Sequence, residues 1–152
     1  MFNIPTQRLA KVTVTETTTA VTLSVNPIVI AALSFTPRHL LVRVNGFATS
    51  AAEVALRFNG DSGSNYHRQM VRGQSTTAAS GQFLAETSYK FGSLGTSLTT
   101  PSGGEVLIAD ALSTRGLKNV VALTGYQGEG EFVSFQGRWD NTAAITSVTI
   151  IN

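Results

Sequence analysis

The densest set of potential ligand atoms lies in segment 59–63, which reads Asn-Gly-Asp-Ser-Gly. Closely spaced side-chain oxygens around glycine are the type of ligand that binds Ca²⁺ in a loop. An EF-hand loop also needs an acidic residue at its twelfth position. Counted from Asn59 that position is Met70, and counted from Asp61 it is Arg72. The spacing therefore favours a structural turn without a metal, and an irregular calcium site at Asp61 is the alternative.

Two further sets of residues have the chemistry for acid–base work. Glu129 and Glu131 flank Gly130, and in a strand both carboxylates would point to one face. Such pairs hydrolyse glycosidic bonds when a cleft holds them about 5–10 Å apart. The two histidines, His39 and His67, are not at metal-ligand spacing. With no Gly-x-Ser-x-Gly elbow and no phosphate-binding loop, we predict ordinary strand roles for these residues, no enzymatic activity and no cofactor.

Trp139 is the only tryptophan in the chain. It lies at the end of a strand-like segment, between Gly137 and the Asp-Asn-Thr sequence of residues 140–142. We predict that it anchors the core, where an enclosed indole buries about 150–250 Å². A ligand-stacking role on a lectin-like face is the alternative.

The amino-acid composition argues against nucleic-acid-binding and membrane proteins. Only 13% of the 152 residues are charged, the net charge is +2, and the basic residues are scattered singly. This pattern predicts no nucleic-acid binding. The chain has no cysteine, the N-terminus lacks a signal-peptide pattern, and the longest apolar run spans only residues 28–33. We therefore expect a soluble protein with no membrane contact, and a low-charge surface that is partly covered in an assembly.

Strand-like segments recur between clusters of Gly, Pro, Ser and Asn, and this spacing predicts an all-β fold. They are Leu9–Thr15, Ala20–Val25, Ile28–Leu33, His39–Val44, Glu53–Asn59, Ser64–Val71, Gln82–Tyr89, Glu105–Ala109, Lys118–Leu123, Glu131–Gln136 and Ile145–Ile151. We expect one antiparallel β-sandwich over residues 9–152, with jelly-roll topology, preceded by an N-terminal arm over residues 1–8. Ser75–Gly81 and Gly92–Gly104 are predicted loops, and Leu107–Leu112 is a predicted helical turn.

Two motifs carry a resemblance to a known group of proteins. The first is L-R-F-N-G-D-x-G-x-N-Y at residues 56–66, which includes Asn59, Gly60, Asp61, Asn65 and Tyr66. The second is G-x-W-x-x-T-x-A-I-T-S-V at residues 137–148. In this order the pair resembles small β-rich virion proteins of tailed bacteriophages. The resemblance implies a jelly-roll-like head decoration (cement) protein, a head fibre or a tail-associated piece.

From this resemblance we expect a structural protein that binds and stabilises the capsid lattice, and that is located in the virion after synthesis in the host cytoplasm. Its expected partner is the major capsid protein or another virion protein, and its expected state is a homotrimer. Phe2 and Ile4 in the N-terminal arm are candidate lattice contacts. The alternative function is a carbohydrate- or receptor-binding module on a phage tail or fibre, with a glycan as ligand.

Overall fold

The fold consists of β-strands joined by turns and loops. The computed structural model describes residues 20–24, 38–46, 52–95, 102–126 and 130–152. The strands within these ranges are β1 (Ala20–Ser24), β2 (Leu40–Gly46), β3 (Ala52–Phe58), β4 (Tyr66–Gln74), β5 (Thr77–Glu86), β6 (Tyr89–Leu94), β7 (Ser102–Ile108), β8 (Lys118–Tyr126), β9 (Glu131–Trp139) and β10 (Ser147–Ile151). The described part of the chain contains no helix, and therefore none long and apolar enough to cross a membrane.

The strands form two antiparallel sheets that pack face to face. The four-stranded sheet has the order β1-β10-β3-β6, and the six-stranded sheet has the order β2-β7-β8-β9-β4-β5. This arrangement confirms the prediction of one antiparallel β-sandwich. The jelly roll stays a prediction, although the chain does pass from one sheet to the other at each step from β1 to β4.

The core lies between the sheets and is built largely by alternation along the strands. In β2, Leu40 and Val42 are buried, whereas Leu41 and Arg43 point outward. The same period of two puts the aromatic Phe135 of β9 inside and leaves the neighbouring Phe132 on the outer face. Alternation of this kind fixes the register, because a slip by one residue would expose the whole apolar set.

Three local predictions are wrong in part. Ser75 and Thr76 make the whole β4–β5 turn, and Thr77–Gly81 belongs to β5. Ser75 has a φ of 52°, so the turn needs only two residues and the small polar residues after it pair with β4. The predicted helical turn at Leu107–Leu112 is also absent, since Leu107 and Ile108 are the last two residues of a paired strand and residues 109–112 form turns. The predicted loop at Gly92–Gly104 is too long at both ends, because residues 92–94 belong to β6 and residues 102–104 belong to β7.

A buried lysine connects the loops at one end of the sandwich. The Lys118 ammonium donates to the carbonyls of Ser113 at 2.6 Å, Gly116 at 2.8 Å and Thr142 at 3.3 Å. Burial lowers the pKa of Lys118, and the nearby Asp110 carboxylate partly opposes that shift. All three ammonium protons therefore have acceptors, which makes Lys118 a structural cross-link between the loops before β8 and after β9.

Candidate functional site

The structure brings the two sequence motifs together. The first motif runs from β3 through the following turn to the first residue of β4, and the second runs from the end of β9 through a loop to the start of β10. Tyr66 pairs with Trp139 across β4 and β9, and Phe58 pairs with Val148 across β3 and β10. We call these four residues, together with Asn59, Asp61 and Asn65, the motif cluster. In this chain the two motifs therefore pack against each other.

Asn59 connects the turn after β3 to the start of β10. Its φ of 55°, followed by 72° at Gly60, lets the chain reverse directly after Phe58. The Asn59 side-chain oxygen accepts from the backbone amides of Thr146 at 2.7 Å and Ser147 at 3.2 Å. Its amide group donates to the carbonyl of Ala144 at 2.8 Å. The Asn59 side chain therefore provides hydrogen-bond partners for backbone groups of residues 144, 146 and 147, just before and at the start of β10.

Asp61 is the polar centre of the motif cluster. One carboxylate oxygen accepts from the Trp139 indole N–H at 2.6 Å and from the Asn65 amide at 2.9 Å. The other accepts from the backbone amide of Gly63 at 2.8 Å. Burial by itself would raise the pKa of the Asp61 carboxyl, but these three hydrogen bonds outweigh it and hold the pKa below its ordinary value.

The aromatic part of the motif cluster is closed to solvent. Trp139 and Tyr66 have no exposed surface, and both rings contact Phe58 at centroid distances of 5.5 and 5.8 Å. The Tyr66 hydroxyl donates to the carbonyl of Asp61 and accepts from the amide of Phe58. Burial raises the pKa of Tyr66 to about 12. A fully enclosed indole has no face left for a ligand, so this geometry favours the anchor role of Trp139 over the stacking role.

The pKa shift of Asp61 predicts an acid-sensitive fold. A carboxyl whose pKa is lower in the folded state stabilises the protein above its ordinary pKa of 3.8, and that contribution is lost as the pH falls through the folded-state value. We expect the urea midpoint of the wild type to drop between about pH 5 and pH 2. Asp61→Asn should lower the midpoint at pH 7 and flatten this decline. An equally steep decline in the variant would contradict the assignment.

Most of the large apolar side chains that are exposed among the described residues lie on the outer face of the six-stranded sheet. Six apolar side chains on strands β2, β4, β7, β8 and β9 of this face are between 40% and 62% exposed. They are Leu41, Val71, Leu107, Val121, Leu123 and Phe132. Three of them form one row across neighbouring strands, because Leu41 pairs with Leu107 and Leu107 pairs with Val121. We call these six side chains the apolar face.

The charges beside the apolar face are paired with one another. Arg43 lies opposite Glu105 across β2 and β7, with a nitrogen–oxygen distance of 2.7 Å. At the other end, Asp140 accepts from Arg138 at 2.6 Å and lies 3.1 Å from His67. Exposed pairs add little stability, but among the described residues of the face they leave no uncompensated charge to desolvate on contact.

A cleft opens on the inner side of the six-stranded sheet, beyond the edge of β6. It has a volume of about 320 Å³ and a floor that includes Met70, Phe83, Val133 and Phe135. Three ion pairs line it, namely Arg68–Glu86, Arg72–Glu131 and Lys90–Glu53. The Arg68 guanidinium binds Glu86 through two nitrogens at 2.6 and 3.2 Å. It also lies 3.8 Å from the centroid of the Phe83 ring, as a cation–π contact.

The remaining candidate residues do not meet in one site. The His39 imidazole accepts from the backbone amide of Asp110, and His67 belongs to the ion pair beside the outer face. Glu131 lies in the cleft, 3.7 Å from Arg72. Among the residues that the structure describes, no group of three or more His, Asp or Glu side chains could hold a metal ion. Glu129 and the N-terminal arm, with Phe2 and Ile4, lie outside the described residues.

No protein-family model, curated protein or solved structure matches this chain. The resemblance to phage virion proteins therefore depends on the two motifs alone.

Proposed function

We propose that this protein is a structural component of a tailed-bacteriophage particle, which docks on the coat-protein lattice of the head and reinforces it. The observation that supports the proposal most strongly is the apolar face. It presents aliphatic and aromatic side chains that are about half exposed on a broad antiparallel sheet. Surfaces of this kind on a folded domain mark sites of protein contact.

The motif cluster supports the proposal from a second direction. The polar residues of the motifs stabilise the fold: Asn59 positions β10, and Asp61 accepts a hydrogen bond from the buried Trp139. The motifs resemble those of phage virion proteins, and their internal role is consistent with a scaffold whose function resides on a surface. Enclosure of the indole and an apolar sheet face are the features expected of a cement protein, whereas exposed aromatic side chains around a groove would indicate a receptor-binding module.

The chemistry of the apolar face suits a coat-protein surface better than a polyanion or a lipid headgroup. Within the described residues the basic side chains beside the face, Arg43 and Arg138, are already paired with carboxylates. No cluster of unpaired cations is left there for phosphate. A neutral protein surface with its own apolar residues would lose the least solvation on contact.

We expect Leu123→Lys to raise the dissociation constant for phage heads assembled without this protein by at least tenfold. Leu123 is 49% exposed near the middle of the apolar face, and a lysine there would have to bury a charge on docking. A tenfold change corresponds to about 1.4 kcal/mol. Co-sedimentation of purified protein with such heads gives the affinity.

The matched control is Leu117→Lys. Leu117 is 45% exposed but lies in the loop before β8, outside the apolar face. We expect this variant to bind as the wild type does. Equal affinities for both variants, with unchanged circular dichroism, would show that docking does not use the apolar face.

The cleft favours a second candidate function, the binding of a neutral glycan. Its three cations are matched by three carboxylates, so a charged ligand would meet no net opposite charge. Sugar hydroxyls both donate and accept, and the cleft supplies donors and acceptors beside the rings of Phe83 and Phe135. Its size lies at the lower end of the range for small-molecule sites, about 300–1,000 Å³.

A glycan array that contains neutral and sialylated oligosaccharides tests this candidate. The cleft predicts binding to neutral members and its loss in Arg72→Gln, because Arg72 is 40% exposed and its pairing distance to Glu131 is long. If the folded wild type bound no glycan on the array, this candidate function would be eliminated and the docking proposal would be unaffected.

A further inference from the structure

Strand β5 forms one edge of the six-stranded sheet and is the longest strand that the structure describes, with ten residues. It pairs with β4 on one side, and in the described part of the chain no strand pairs with its other side. Alternate residues of an antiparallel edge strand direct their N–H and C=O groups away from the sheet. The β5 edge is therefore a row of backbone groups that a further extended strand could pair with.

The other edges carry the features that block strand pairing, whereas β5 does not. Strand β1 has only five residues, β2 has Arg43 near its centre, and β6 has Lys90. Short length and charged side chains protect sheet edges from a second chain. From Thr77 to Ala85, β5 has no charged residue and no proline. Its one irregularity, a φ of 55° at Ala85, lies near the end of the strand and leaves Thr77–Phe83 regular.

We propose that a second copy of this chain pairs with β5, antiparallel and through the same edge, so that a twofold axis passes between the two β5 strands. A twofold interface requires a surface that is complementary to itself, with each residue opposite its counterpart or near it. An uncharged strand meets this condition because no like charges face each other across the axis. The small side chains of Ala78, Ala79, Ser80 and Gly81 let the two backbones approach.

This dimer joins the two six-stranded sheets into one continuous sheet. The apolar faces of both copies then lie on the same side, because hydrogen-bonded neighbouring strands share the faces of a sheet. Two linked docking faces would bind a lattice with higher avidity than either alone. The inference goes beyond the proposed function, since self-association does not depend on what the apolar face contacts.

Paired lysine substitutions test the interface. Ser80→Lys/Gln82→Lys places charges on β5, and like charges would then face each other across the axis. Ser134→Lys/Gln136→Lys is the matched control, because Ser134 and Gln136 occupy the same two rows of the same sheet face, two strands further in on β9. We expect light scattering to show a dimer for the wild type and the control. The dimer dissociation constant of the β5 variant should rise at least tenfold.

Hydrogen exchange on the unmodified protein gives a reading that does not depend on how the variants fold. Half of the amides in Thr77–Phe83 should exchange slowly when the protein is concentrated and rapidly when it is dilute, because those amides point toward the second copy. A wild-type monomer, or the trimer that the motif resemblance implies, would overturn the proposal. So would a β5 variant that dimerises as the wild type does.

The outcomes also separate this inference from the docking proposal. Leu123→Lys should lose affinity for phage heads and remain a dimer, since Leu123 lies on β8 away from the β5 edge. A protein that dimerises through β5 but never binds heads would contradict only the proposed function.

Discussion

Replacing Trp139 with alanine is expected to lower the free energy of unfolding by about 3–5 kcal/mol, which is the usual range for a large aromatic residue in a core. The indole is fully buried between Phe58 and Tyr66, so its loss leaves a cavity that two other large rings have to line. It also removes a hydrogen-bond donor from Asp61. Urea denaturation at neutral pH, followed by circular dichroism, measures the change.

Phe132→Ala is the control for this experiment. Phe132 is also a large aromatic residue at the end of the sandwich, but it is 56% exposed on the apolar face. We expect it to change the unfolding free energy by no more than about 1 kcal/mol, because surface substitutions leave no cavity. If Trp139→Ala proved as mild as Phe132→Ala, the motif cluster would not be the anchor of the fold.

Glu86→Ala is expected to lower the free energy of unfolding by about 3 kcal/mol. Arg68 is 6% exposed, and Glu86 is its carboxylate partner, so the substitution leaves a buried guanidinium without a counter-charge. Breaking a buried pair from one side costs about 3–5 kcal/mol, and we take the lower limit because the pair borders an open cleft. The measurement is again urea denaturation at neutral pH.

The double variant Arg68→Met/Glu86→Met should recover most of that loss. A pair of apolar side chains removes both charges and packs against Phe83, which the Arg68 guanidinium now covers. In a double-mutant cycle the two substitutions should therefore be strongly non-additive. Additive losses would show that the ion pair is solvated and contributes little to the fold.

The elements of the fold were predictable wherever local pattern decides the structure. Val54, Leu56 and Phe58 are buried at every second position, and this period in the sequence predicts β3. The turn at Asn59 and Gly60 was also predictable from local sequence, because few residue types adopt a positive φ. The N-terminal half of β5 was not predictable, because alanine, serine and glycine have low strand propensity and gain their pairing from the β4 partner.

For the site residues too, local pattern predicts some roles, and tertiary contacts determine the others. The role of Asn59 in a turn follows from its neighbours, but its hydrogen bonds to residues 146 and 147 come from the packing of β3 on β10. The pair Arg68–Glu86 gave no local signal, because it joins residues 18 positions apart, on two strands that a bulge shifts in register. The apolar face was hidden too. A lone Leu123 or Phe132 in an alternating strand suggests burial on a second sheet, and only the observed layers show that no described strand covers the apolar face.

Electron microscopy of the phage particle tests the docking account most directly, through the position and orientation of this subunit in the map. The account predicts density for the sandwich on the outside of the head shell, with the apolar face of β2, β4, β7, β8 and β9 against the coat protein and the cleft directed away from it. A subunit found only on the tail, or one attached to the head with Leu107, Leu123 and Phe132 facing solvent, would contradict it.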